Sequence, residues 1–238
     1  RMIVPDLPGF GRSAKKLPWP AKIKNYLIWL DGFLNEIGLN FSQGEKVHFV
    51  GHDFGALLAF SWSVDHSDSV ASIFCMNTCI HFEHAIPAPW FGISVAPFVG
   101  QRMGRLCLRE PFLSFIFRKT FYRTPSDSVI NAYLGVYQDK ASKVVLMNFM
   151  HHLPSLMGYM WALRRQLKLL MCPVRLVFGA NDPLLRSSEA RSIAEIFSNG
   201  SYRKLMSVGH FPIEEAPIAL CDELKSHLIE QGFESILE

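Results

Sequence analysis

Lys46-Val47-His48-Phe49-Val50-Gly51-His52-Asp53-Phe54-Gly55-Ala56-Leu57-Leu58-Ala59-Phe60-Ser61-Trp62-Ser63-Val64 reads as strand, sharp turn and helix in a single run. Val47 to Val50 is short, apolar and partly β-branched, the composition of a buried strand. Ala56 to Val64 reads as a helix. Between them, Gly51-His52-Asp53-Phe54-Gly55 sets an aspartate at the apex of a turn, and its glycines suit backbone too tight for side chains. A carboxylate there is ionised at neutral pH and needs no base to attack. Attack on an ester would give a reactive anhydride. Attack on a saturated carbon bearing a leaving group gives an alkyl ester instead. Displacement followed by hydrolysis is the chemistry this residue favours.

Outward from this run the chain alternates strand and helix. Arg1-Met2-Ile3-Val4-Pro5 is expected as a strand, followed by the turn-rich loop Asp6-Leu7-Pro8-Gly9-Phe10-Gly11-Arg12-Ser13. The Gly-x-Gly of that loop lacks the third glycine and helix start of a dinucleotide fingerprint. Ile23, Leu27, Leu30, Leu34 and Ile37 recur at helical spacing, and Gly38 closes the helix. A strand is expected over 72–76. From about His81 to Leu170 the rhythm stops. That segment is rich in Phe and Pro, with helical patterns at 112–121, 128–137 and 143–150. The alternation resumes with a strand at 174–178, a helix over 187–197, a strand at 202–206 and a helix from Pro217 to about Gln231. The pattern predicts an α/β class with a mostly parallel sheet flanked by helices. Residues 1–79 and 171–238 form its core, and 80–170 an inserted helical segment.

Composition narrows the function. With 238 residues, 49% hydrophobic and 19% charged, the chain is long enough for one α/β domain with an insertion. A net charge of +3 without a basic stripe interleaved with aromatics argues against nucleic acid. The densest basic run, Arg164-Arg165-Gln166-Leu167-Lys168, reads as a solvated helix face. Five cysteines, at 75, 79, 107, 172 and 221, without a Cys-x-x-Cys pair suit small core residues in a reducing, cytoplasmic setting. Trp90 to Gly100 is too short for a membrane span, and Gly92, Pro97 and Gly100 interrupt it. His81-Phe82-Glu83-His84 lacks the spacing that puts two imidazoles on one helix face, and His151 and His152 diverge on a helix. No metal or cofactor is expected. Glu214 and Glu215 are expected to serve the positive end of the last helix. Because the chain opens at Arg1 directly inside a strand, it reads as a piece of a longer protein.

Two further motifs complete a chemical set. Gly179-Ala180-Asn181-Asp182-Pro183 follows the strand at 174–178, and Ser207-Val208-Gly209-His210-Phe211-Pro212 follows the strand at 202–206. Loops after parallel strands share the carboxyl edge of the sheet, where ligands bind. Nucleophile, acid and histidine, Asp53, Asp182 and His210, therefore arrive in that order at one edge.

Taken with Pro5-Asp6-Leu7-Pro8-Gly9-Phe10-Gly11-Arg12-Ser13 and Met76-Asn77-Thr78, these motifs resemble the haloalkane dehalogenase and epoxide hydrolase branch of the α/β-hydrolases, over essentially the whole chain. The resemblance implies an α/β-hydrolase fold of eight strands with a helical cap at 80–170. The present chain would begin at the fourth strand, and the isolated chain is expected not to fold stably. It also implies a small apolar substrate. Asp53 would form an alkyl ester, and His210, oriented by Asp182, would activate the water that hydrolyses it. The oxyanion would meet the N–H of Phe54 and a second donor supplied upstream.

The leaving group divides the branch. Haloalkane dehalogenases typically carry tryptophan after the nucleophile, where its indole N–H meets the halide; here stands Phe54, which has no such donor. Asn77 and Trp90 resemble the leaving-group and cap positions of one dehalogenase subfamily, although Trp90 also reads as a packed cap aromatic. Epoxide opening needs a proton donor, for which Tyr122, Tyr133, Tyr137 and Tyr159 are available, Tyr133 and Tyr137 being singled out for the pocket. The phenylalanines at 91, 98, 112, 115, 117 and 121 are expected to line an apolar pocket and pack the insertion. The residue pattern leans to carbon–halogen hydrolysis, with epoxide hydrolysis to a diol as the alternative. A hydrolase-fold protein that binds a small ligand without turnover is a reading of another class.

Overall fold

The computed structural model describes residues 1–80 and 108–233. Trp90, Phe91, Phe98 and the His81–His84 motif lie outside them. Among the described residues four strands, β1 (Val47–His52), β2 (Val70–Met76), β3 (Val174–Gly179) and β4 (Gly200–Leu205), pair in parallel in the order β1-β2-β3-β4. Parallel strands require crossovers, and helices supply them. The helices are α1 (Ile23–Glu36), α2 (Phe54–Asp65), α3 (Phe112–Arg118), α4 (Asp127–Gly135), α5 (Lys140–Leu167), α6 (Ala190–Ala194), α7 (Pro212–Glu215) and α8 (Pro217–Ile229).

The described chain divides into two compact units. One comprises, among the described residues, 30–80, 120–123 and 159–233 and holds the sheet. Its strand β2 is buried almost throughout and β3 wholly, as a central parallel strand must be. Alternate residues Phe74 and Met76 of β2 join Val177 of β3 and Leu220 of α8 in one apolar cluster, closed by Leu205 and Leu224. Each such side chain contributes roughly 1.5–3 kcal/mol on leaving water. Helix α2 is hydrophobic nearly all round, and Ala56 to Ser63 are buried without interruption. It sits against β1 and β2, which puts the residue before it under tight control.

The other unit comprises, among the described residues, 1–29, 108–119 and 124–158. The first turns of α1 bury Ile23 and Tyr26, and the Tyr26 hydroxyl donates to the Pro8 carbonyl at 3.2 Å. Asp6 ties the glycine-rich loop together, accepting from the Arg12 N–H at 2.8 Å. In α4 the Ser126 hydroxyl caps the helix at the Val129 N–H, 3.4 Å away.

Two expectations need correction. Arg1–Pro5 forms no strand; Met2 and Val4 are 89% and 84% exposed, and an apolar pattern without a hydrogen-bonded neighbour makes no strand. The helix expected at 143–150 runs instead from Lys140 to Leu167, straight through Pro154 and Gly158. A proline inside a helix removes one hydrogen bond, a loss that packing elsewhere along the helix must offset. Here the buried positions Val145, Leu156, Met160, Leu163 and Leu167 carry the helix on.

Candidate active site

Asp53 sits between the last residue of β1 and the first of α2, with φ 48° and ψ −114°. Positive φ in a residue with a side chain costs of order 1–3 kcal/mol, so the surroundings must hold it. They do so through its backbone. The Asp53 N–H donates to the Met76 carbonyl at 3.1 Å, and its own carbonyl accepts from the Thr78 hydroxyl at 3.0 Å and the Leu57 N–H at 3.2 Å. The Asp53 side chain is left exposed. Of the two glycines, Gly51 is the sterically required one: a Cβ there would lie 2.7 Å from the Ala56 backbone. At Gly55 a Cβ would meet nothing among the described residues within 4 Å.

The acid and the histidine converge two strands away. Strand β3 ends at Gly179, where a Cβ would fall 2.1 Å from the Gly209 carbonyl, so the two loops meet backbone to backbone. Asp182 is buried, and its side chain has no exposed surface. Its Oδ2 accepts from His210 Nδ1 at 2.9 Å and from Asn77 Nδ2 at 2.6 Å. Its Oδ1 accepts the N–H groups of Leu184 at 2.7 Å and Leu185 at 3.0 Å. Burial by itself would raise the Asp182 pKa, yet the His210 hydrogen bond and charge, with Asn77 and Leu184, hold it below the usual carboxylate range. His210 mirrors this. Burial would lower it, but the hydrogen bond and charge of Asp182, with the charges of Asp53 and Glu215, raise it above the ordinary histidine value. With Nδ1–H donated to Asp182, Nε2 of the neutral ring carries the lone pair.

Asn77, expected beside the leaving group, faces the acid. It is wholly buried with φ 32°, and besides Asp182 its Nδ2 donates to the Gly209 carbonyl at 3.1 Å, while its Oδ1 accepts the Gly179 N–H at 3.0 Å. It directly follows β2, the strand between the nucleophile's and the acid's, and so lies between their loops. Its amide nitrogen is engaged by the Asp182 carboxylate and the Gly209 carbonyl. Phe54 opens α2 next to Asp53 and is partly buried, as expected of its position. Tyr133 lies on α4 with its ring 5.0 Å from Phe117, and burial raises the Tyr137 phenol above its usual value. Both tyrosines belong to the unit without the sheet. The structure thus gathers Asp53, Asn77, Asp182 and His210 at one sheet edge.

Two neighbours of His210 were not singled out from the sequence as site residues. His52 Nε2 donates to the His210 carbonyl at 2.8 Å, and burial, then the charge of His210, lower the His52 pKa. Glu215 was read as serving a helix dipole; its carboxylate instead accepts the Gly209 N–H at 2.8 Å. His52 stood inside the quoted motif, but its partner lies 158 positions away. Among the described residues no three His, Cys, Asp or Glu side chains gather as a metal site, and no helix is long and apolar enough to cross a membrane.

An exposed carboxylate beside a histidine oriented by a buried acid can attack carbon and then direct water at the ester so formed. The model of the alpha/beta hydrolase fold family matches residues 1–217. A 73-residue stretch is 36% identical to coelenterazine h 2-monooxygenase from Renilla reniformis, covering 31% of this chain and 22% of that protein. Among solved structures, haloalkane dehalogenase from Bradyrhizobium elkani superposes with a TM-score of 0.77 at 19% identity, over 95% of this chain and 80% of that one. A thermophilic esterase from Thermogutta terrifontis does so at 0.71 and 18%, over 95% and 78%. The sheet, the elbow and the matched model agree that this chain belongs to the α/β-hydrolase fold family.

Proposed function

We propose that the protein is a hydrolase of small apolar alkyl substrates working through an ester on Asp53, with carbon–halogen hydrolysis as the first reading. The observation that carries it is residue 53 itself. A carboxylate, exposed and held at positive φ, occupies the elbow, with a His210–Asp182 pair at the same sheet edge. A dehalogenase and an esterase superpose comparably, so the fold does not choose the chemistry; the nucleophile does. In this reading 80–170 is the cap, 1–79 with 171–238 the catalytic core, and the protein acts in the cytoplasm.

The carboxylate displaces the leaving group in line and becomes an alkyl ester. That step cancels the negative charge which, with Asp182 and Glu215, keeps His210 protonated more readily. Losing it moves His210 towards its free-base form when a base is needed. Nε2 then takes a proton from water, which attacks the Asp53 carboxyl carbon. The Phe54 N–H, at the head of α2, stabilises the oxyanion.

Phe54 also favours a second reading, epoxide opening, because it brings no indole N–H to a departing halide. Assaying halide, alcohol and diol from panels of haloalkanes and epoxides separates the two. Absence of product from every substrate, with no adduct on Asp53, would contradict both and favour a ligand-binding role.

A further inference from the structure

His210 is held through its backbone as well as its ring. The His210 N–H donates to the Thr120 carbonyl at 2.9 Å, and Phe121 stacks on Phe211 with ring centroids 4.8 Å apart. Thr120–Arg123 belongs to the sheet unit, although the residues on both sides of it do not. Glu215 joins this short crossing to the histidine loop. Its Oε1 accepts the Gly209 N–H at 2.8 Å, and its Oε2 accepts the N–H groups of Tyr122 at 2.8 Å and Arg123 at 3.3 Å. A carboxylate has two acceptor oxygens and no donor, so it alone among side chains of this size can receive all three N–H groups. Glu215 is the last residue of the four-residue α7, and its side chain turns back to Gly209 instead of capping α8.

We propose that Glu215 is the positioning residue of His210: a clasp that fixes the histidine loop against Thr120–Arg123 and adds a negative charge beside the imidazole. The inference rests on the reading of His210 as the base of the ester-hydrolysing step. The groups acting on that ring are Asp182 at Nδ1, the charges of Asp53 and Glu215, and His52 at the His210 carbonyl. Glu214, next in sequence, is exposed and makes the natural control.

The test measures the His210 ring titration by NMR in the full chain, and separately the rates of ester formation and ester release. In Glu215→Gln, the lost charge lowers the His210 midpoint and the lost acceptor slows release about tenfold, while ester formation is unchanged. Glu214→Gln leaves both as in the wild type. An unmoved midpoint with wild-type release in folded Glu215→Gln, or an equal drop in Glu214→Gln, overturns the clasp. If Glu215→Gln does not fold, Glu215→Asp decides. It keeps the charge and the midpoint but draws the oxygens back by one methylene, so release slows; release at the wild-type rate overturns the proposal. The ring titration needs no substrate. A midpoint that moves while no ester ever forms on Asp53 removes the nucleophile reading and leaves the clasp standing, whereas ester formation with an unmoved midpoint does the reverse.

Discussion

A histidine lies beside a buried charge near each end of strand β3, and the two are driven in opposite directions. Near the carboxyl end, the Asp182 anion receives His210 Nδ1–H, and His210 is raised above its ordinary value despite its burial. At the amino end, Arg175 is 5% exposed and makes a two-pronged bond to Glu230, 2.8 Å to each oxygen. His227, 2% exposed, stands near that cation with its Nε2 lacking a hydrogen-bond partner among the described residues. Burial first, and then the Arg175 charge, push His227 down to about 4. Burial acts alike at both ends, so the sign of the neighbouring charge decides which histidine readily takes up a proton. His210 takes up a proton more readily than an ordinary histidine, and His227 less readily.

Substitutions at the two ends should therefore fail in different ways. The largest effect is expected at the carboxyl end. His210→Phe should slow ester release by on the order of 10³-fold or more while leaving ester formation intact, and intact-protein mass spectrometry should find the alkyl group retained on Asp53. Next comes Asn77→Ala, which strips one buried donor from the Asp182 carboxylate and leaves the Gly179 N–H without its acceptor. A stability loss of about 2 kcal/mol by denaturant titration is expected, together with slower turnover. At the amino end, Arg175→Met should lose about 1–2 kcal/mol, moderated because Glu230 remains half-exposed to water. Turnover per folded molecule should not change, and the His227 midpoint should rise while burial still holds it below its ordinary value.

A pH dependence probes the amino end separately. The folded-state pKa of His227, about 4, lies below its ordinary value of 6.5. As pH falls below 6.5 the unfolded chain takes up a proton that the folded chain refuses, so stability drops progressively and levels off below about 4. His227→Leu should flatten that part of the pH–stability curve without moving the pH profile of ester release. A profile that moved would show the two ends to be linked.

What could be read from the sequence was whatever depends on neighbours along the chain. The elbow shows in residues 46–64 because strand, turn and helix follow one another directly, and α2 begins at Phe54 as the pattern says. The four described strands fall near where the sequence predicted them, three of them on short apolar runs. Other features depend on partners far along the chain. Asn77 reads as a pocket residue until the register of β2 against β3 places it behind Asp182, 105 positions on. Glu215 looks like a helix-end acid, because the N–H groups it holds at 122 and 123 lie more than 90 positions away. Arg1–Pro5 shows the opposite failure: its pattern fits a strand, yet no partner strand among the described residues pairs with it.

The central claim is that Asp53 becomes esterified during turnover, and a single turnover in heavy-oxygen water tests it most directly. The account predicts label in the Asp53 carboxylate and ordinary oxygen in the first product released, because water attacks the enzyme's carbon and not the substrate's. Label in the product with none at residue 53 would contradict it.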